Sequence, residues 1–264
     1  MLSEDELLAD KRYQIVIPVH PKDYTKLPFV IERALRYTDA SAIHLMAYET
    51  EDIHKYIPSD SRVFLHHECN ILPEPREIFP DIRQGQGWYF QQFLELFQDV
   101  TDTDWYIGLN CDLMMNRRYP VFASGKPMQV LSRDKNSQKD VYNPFNLAMF
   151  PGSHVSPWNY LSDGTLYNKK ITREMAGGDV AGFMHKSAEL IRIDGKPRYT
   201  PGDANLYMHY VNNVYPYLYF VVELRNAMNG KYNGETWTTE ELEALLSRNS
   251  DADTISAHCW GNIK

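Results

Sequence analysis

The chain has 264 residues, 43% hydrophobic and 13% aromatic, which is enough apolar surface for a sizeable core in one globular unit. A formal net charge of -8, with Lys and Arg scattered in short pairs such as Arg117-Arg118 and Lys169-Lys170, argues against a protein that coats nucleic acid, since that needs a clustered basic surface. Cys69, Cys111 and Cys259 have neither zinc-site spacing nor the even count of a disulfide framework, so reduced thiols in a cytoplasmic setting are expected; no secretion signal opens the sequence, and no apolar window is long enough for a transmembrane segment.

Tyr13 to Val19 predicts a first strand, with Pro18 near its end because proline cannot donate to a central ladder. His20 to Tyr24 leads into a helix from about 27 to 37, in which Phe29, Val30, Ala34 and Tyr37 keep helical register and Pro28 sits in the first turn. Ile43 to Ala47 and Arg62 to His66 read as the next strands, separated by a turn or short helix around Asp52 to Tyr56. Strands that alternate with helices predict an α/β fold whose mainly parallel central sheet is flanked by helices. The ligand crevice of such a sheet opens at the carboxyl ends of its strands.

A glycine-rich turn, Arg83-Gln84-Gly85-Gln86-Gly87, then precedes a helix with an apolar stripe of Tyr89, Phe90, Phe93, Leu94 and Phe97. Trp105 to Leu109 is a continuous apolar run, the pattern of a strand buried on both faces, and it ends in Asn110-Cys111-Asp112. A carboxylate at that end emerges at the ligand edge, which makes Asp112 a candidate metal or phosphate-site residue; the competing reading is an Asp that opens the following turn.

The tract with Arg83, Gly87-Trp88-Tyr89 and Gln91-Gln92, followed by a strand ending in an Asp-X-Asp-like triplet, resembles a group of small bacterial and viral GT-A-type glycosyltransferases. The resemblance covers about the first half of the chain and implies a Rossmann-like GT-A domain over residues 1–264, with a nucleotide-sugar-binding half (about 1–133) and an acceptor-binding half (about 134–264). It implies a divalent cation, Mn2+ or Mg2+, bridging the diphosphate of a UDP- or GDP-sugar. Asn110 stands where the pattern has its first Asp and brings a neutral carbonyl oxygen to a site that prefers anionic ligands. The implied donor-binding residues are Val19 and His20 at the end of the first strand, then Arg83, Trp88, Gln91, Asn110, Cys111 and Asp112. Three of these have a plainer reading as well: His20 as a loop histidine bonded to backbone, Arg83 as a surface cation, Trp88 as core. Gln91 and Gln92 are adjacent on a helix, so at most one of them faces the crevice.

After Asp112, a turn at 124–127 leads to a strand at Met128 to Leu131, which looks like the return strand following the metal motif. A polar, loop-rich stretch from Ser132 to Lys170 holds Trp158, Tyr160 and Tyr167, rings that stack readily on sugar faces or plug a core. Met175 to Met184 is rich in small residues and is followed by a helix from about 187 to 193. Asp203 follows a Pro-Gly turn and reads either as a helix N-cap or as a carboxylate beside the acceptor, with Asp179 as its rival. A helix from Glu240 to Arg248 adds nothing chemical, but His258 in the terminal Ile255 to Trp260 segment matches the C-terminal His that such enzymes return to the cation or diphosphate.

The resulting expectation is an enzyme, a hexosyl- or pentosyltransferase, that moves a sugar from a nucleotide-diphosphate donor to a hydroxyl of a carbohydrate acceptor. Asp112, His258 and Asn110 would hold the metal, and Asp203 or Asp179 would take the acceptor proton. A non-catalytic sugar-binding module and a nucleotidyltransferase are the rivals; the latter would carry a basic glycine-rich loop after the first strand, and Val19-His20-Pro21-Lys22-Asp23 has no glycine.

Overall fold

The computed structural model describes residues 2–81, 85–132, 142–156, 158, 160, 164–193, 196–197, 199–231 and 235–259. A short helix α1 (Glu4–Leu8), closed by a capping box between Ser3 and Glu6, leads into β1 (Tyr13–Val19). Helix α2 (Leu27–Tyr37) follows, then β2 (Ile43–Ala47), β3 (Val63–His67), α3 (Gln86–Phe97) and β4 (Trp105–Leu109). Each of these strands pairs parallel to a neighbour in the order β3-β2-β1-β4. Every residue of β1, β2 and β4 is buried, as expected where helices cover both faces of a sheet.

Pro18 lies in a central strand rather than at an edge. The β1–β4 ladder stops at Val16–Gly108, so the missing N–H of Pro18 leaves no gap on that side.

Beyond β4 the chain forms β5 (Leu113–Met115), β6 (Phe122–Ala123), β7 (Lys126–Ser132), α4 (Asn143–Met149) and β8 (Gly164–Asn168). The stretch expected to be loop therefore contains a helix and a fully buried strand. β8 completes the central sheet antiparallel to β4, with Thr165 opposite Gly108. The strand at β7 returns to a separate sheet, between β6 and β11 (Phe220–Leu224), and not to the central one.

Helix α5 (Lys169–Met175) is followed by α6 (Val180–Ile191), which begins well before the expected position. The reason is local: Asp179 accepts a bond from the N–H of Gly182 at 2.9 Å, and a β-carbon on Gly182 would lie 2.3 Å from that carboxylate. The glycine makes room for the cap. A small ladder of β9 (Arg192–Ile193) and β10 (Lys196–Pro197) precedes α7 (Asp203–Val214). The chain closes with β11, β12 (Asn226–Lys231), α8 (Thr239–Arg248) and β13 (Thr254–Cys259). β13 runs between β12 and β5.

Candidate functional site

The neighbours of β1 lie on opposite sides, β2 on one and β4 on the other, so the strand order reverses beside the carboxyl end of β1. That is where open α/β sheets form a crevice. Asp112 follows β4 at this end, and the antiparallel pairing of β13 with β5 brings the last strand alongside it. His258 Nδ1 lies 2.5 Å from Asp112 Oδ2, and the two side chains are 15% and 20% exposed. The backbone fixes the same approach: the N–H of Ala257 donates to the Asp112 carbonyl at 2.8 Å, and the Trp237 indole donates to the His258 carbonyl at 3.1 Å. Sequence reasoning missed Trp237 in this role.

Behind this pair stands a buried cation that the sequence did not announce. The Lys26 ammonium sits 2.6 Å from Asp23 and donates to the Ala257 carbonyl at 3.0 Å. Burial alone would lower its pKa, but the carboxylates of Asp23 and Asp112 outweigh burial and raise it. The only sequence signal was the i,i+3 spacing of Asp23 and Lys26, which more often marks a solvated surface pair. Cys111 turns its thiol inward toward the Asp23 carbonyl, and burial holds that thiol well above its ordinary pKa, so it stays protonated.

A second polar chain runs from Asn110 into the interior. The side-chain amide of Gln91 donates to Asn110 Oδ1 at 3.0 Å and to Glu95 Oε1 at 3.1 Å. Glu95 in turn hydrogen-bonds to Asp203, which also receives the Tyr167 hydroxyl. Gln92 serves a different element from its neighbour: its carbonyl accepts the N–H of Asp203 at 3.1 Å. Burial pushes the Asp203 carboxyl above the usual carboxylate range, against the hydrogen bonds from Tyr167 and Glu95. Glu95 does not stand out in the sequence as a site residue, because a lone Glu on an aromatic helix carries no spacing signal; Tyr167 reads there as a ring for a sugar face or a core, not as a donor to a carboxylate.

The remaining candidates are spread more widely. Val19 is buried at the end of β1 opposite Ala47, and His20 is exposed, its ring accepting the N–H of Lys22 at 3.3 Å. Trp88 is half-buried against the edge of Tyr89. Asp179 is exposed and caps α6 through the N–H of Gly182. Arg83 lies outside the described residues.

One carboxylate oxygen and one imidazole nitrogen suit a divalent cation of the Mn2+ or Mg2+ type. The 2.5 Å approach of His258 Nδ1 to Asp112 Oδ2 brings the two groups together, so that one such ion would be held by both. Among the described residues, no group of three or more His, Cys, Asp or Glu gathers as a ligand set, so oxygens of a bound diphosphate and water would have to complete the shell. The residues present fit such an ion as a two-ligand platform. Among the described residues, no helix is long and apolar enough to cross a membrane.

No protein-family model matches the chain, and no curated protein matches it. Among solved structures it is similar to the galactosyltransferase LgtC in complex with donor and acceptor sugar analogs, with TM-score 0.50 and 13% identity over 92% of this chain and 86% of that one. It is also similar to the apo form of mouse xyloside xylosyltransferase 1, with TM-score 0.49 and 13% identity over 96% and 98% of the two chains. At such identity the likeness to LgtC shows the fold: an α/β arrangement of the GT-A glycosyltransferase type, its mainly parallel central sheet flanked by helices.

Proposed function

We propose that the protein is a glycosyltransferase that moves a sugar from a nucleoside-diphosphate donor, a UDP- or GDP-sugar, to a hydroxyl of a carbohydrate acceptor. The observation that carries this reading is the approach of His258 to Asp112 at the carboxyl edge of a GT-A-type sheet, next to the reversal of strand order. Asp112 and His258 would hold Mn2+ or Mg2+, which when bound neutralises charge developing on the leaving diphosphate. Asn110 contributes a neutral oxygen already oriented by Gln91, and Val19, His20, Trp88 and Arg83 belong to the same donor half, residues 1–133. The acceptor half, residues 134–264, supplies Asp203.

Asp203 is the better candidate for taking the acceptor proton. Its raised pKa brings it closer to the working range of a general base, whereas Asp179 is engaged as a helix cap. The Lys26 ammonium keeps β13, and with it His258, in place.

The test is release of nucleoside diphosphate from a panel of UDP- and GDP-sugars, with and without Mn2+, and with simple sugars as acceptors. Turnover of one donor that depends on Mn2+ supports the reading. Binding without turnover for every donor would favour a carbohydrate-binding module instead.

A further inference from the structure

A cleft of about 590 Å³ opens at the other end of the central sheet from the crevice described above. Three segments line it: residues 11–13, where the chain enters β1, Asp39 and Ser41 ahead of β2, and residues 118–122 between β5 and β6. These are the amino ends of β1 and β2. β1 has seven residues, so about 20 Å of strand separates the cleft from the carboxyl edge of the sheet.

The floor is apolar and fixed. Tyr13, Tyr119 and Val121 are buried, and Phe122 packs 6.4 Å from the Tyr13 ring and 5.5 Å from the Trp105 ring while staying half-buried. The Tyr13 hydroxyl accepts the N–H of Asp39 at 2.8 Å, which ties the connection between α2 and β2 to that floor. The rim is charged. Lys11, Arg12 and Arg118 bring three cations against the one carboxylate of Asp39, in a chain whose formal net charge is -8.

The three cations differ in how far they are already committed. Arg12 is gripped by Asp10, which accepts from its Nε at 3.0 Å and from its terminal nitrogen at 2.6 Å. Arg118 pairs with Asp39 at 76% and 66% side-chain exposure, and a pair so exposed gains little over solvation, so a ligand replaces it at small cost. Lys11 makes no hydrogen bond or ion pair among the described residues; its ammonium lies beside the turn between β6 and β7, 3.8 Å from where a β-carbon on Gly125 would stand.

Small-molecule sites combine an apolar wall with a few placed polar groups in about 300–1,000 Å³, and this cleft has both. The cations select an anionic ligand. Asp39 and Ser41 select further, because a carboxylate in the lining repels a bare phosphate but accepts bonds from hydroxyl groups. The part of the Phe122 ring that lines the cleft suits the C–H face of a sugar.

We propose that this cleft binds an acidic saccharide, a sugar chain bearing carboxylates, with Lys11 and Arg118 meeting the carboxylates and Asp39 the hydroxyls. The binding does not depend on the transferase reading; that the bound chain is the acceptor, anchored far from the chemistry, rests on it.

The experiment titrates a galacturonic acid hexamer, maltohexaose as its neutral counterpart, and inorganic phosphate into the wild type, the double variant Lys11→Ala with Arg118→Ser, and Lys55→Ala. Lys55 follows β2 at the opposite end of the sheet and controls for the loss of charge alone. The acidic hexamer should bind the wild type and Lys55→Ala equally and the double variant about tenfold more weakly, with maltohexaose weaker than the acidic hexamer. Absence of binding, equal affinity for maltohexaose, phosphate binding as tight as that of the hexamer, or an equal loss in Lys55→Ala overturns the proposal. The acceptor role is read from transfer: the double variant should raise KM for the acidic hexamer about tenfold and leave turnover on simple sugars unchanged. Equal KM values overturn that role, and so does a wild type with no turnover of any donor, while the titrations still decide the binding site.

Discussion

The ammonium of Lys26 lies 2.6 Å from the carboxylate of Asp23, with the lysine side chain 1% exposed. A buried pair of this kind is costly to break on one side, because the surviving charge keeps its desolvation penalty without its partner. Asp23→Asn should therefore destabilise the protein by about 3 kcal/mol. The double variant Asp23→Asn with Lys26→Met should recover part of that loss, since it leaves no uncompensated ion. Urea unfolding of the wild type, Asp23→Asn, Lys26→Met and the double variant gives the coupling, and additive effects would show that the two groups act independently.

Gly108 is predicted to be intolerant of even one added methyl group. Its β-carbon would lie 2.6 Å from the Tyr167 ring and 2.9 Å from Glu95 Oε2, both in closely packed surroundings. Gly108→Ala should cost about 1–3 kcal/mol in thermal or denaturant unfolding. A neutral result would mean that ring and carboxyl have room to move.

Acid should weaken the protein through His44. This ring is buried on β2 beside His66, at 2.9 Å between ring nitrogens, and its pKa is lowered from 6.5 to about 4, by burial first and by His66 second. A folded pKa below the unfolded one means that the unfolded chain binds more protons between these two values. Stability is then fully present above pH 6.5 and is lost as pH falls toward 4, by up to about 3 kcal/mol. Unfolding midpoints across that window check it: His44→Gln should show a shallower acid slope than the wild type, and an unchanged slope would assign the acid sensitivity to other groups.

Asp179 and Asp203 separate by their expected losses. Asp179→Ala removes the cap of α6 and should cost about 1 kcal/mol of stability with little change in turnover, whereas Asp203→Asn should lower turnover by about 100-fold or more. Unfolding midpoints and donor turnover of both variants check this. A large loss of turnover in Asp179→Ala alone would transfer the base role to Asp179.

The alternation of strands and helices from β1 to β4 was legible because each element carries its own pattern: continuous apolar runs for strands covered on both faces, and a 3.6-residue stripe for the helices. β8 was hidden because Gly164 to Asn168 holds only one aliphatic residue and lies in a polar tract; its burial comes from β4 alongside it, which is a tertiary effect. The start of α6 was hidden by glycines, of which Gly182 makes room for the Asp179 cap. At the site, Asp112 could be read from its place at the end of an apolar strand, and His258 from the family resemblance. Lys26 and Glu95 could not, since nothing local marks a charged side chain for burial. Only the folded chain brings Ala257 to one and Asp203 to the other.

Calorimetric titration of UDP and GDP, with and without Mn2+, into the wild type, Asp112→Asn and His258→Ala tests the central claim most directly. The account predicts that one diphosphate binds the wild type in the presence of Mn2+, that binding weakens sharply without the metal, and that each variant loses at least about tenfold in affinity while its circular dichroism is unchanged. Binding indifferent to Mn2+, or variants that bind as tightly as the wild type, would contradict it.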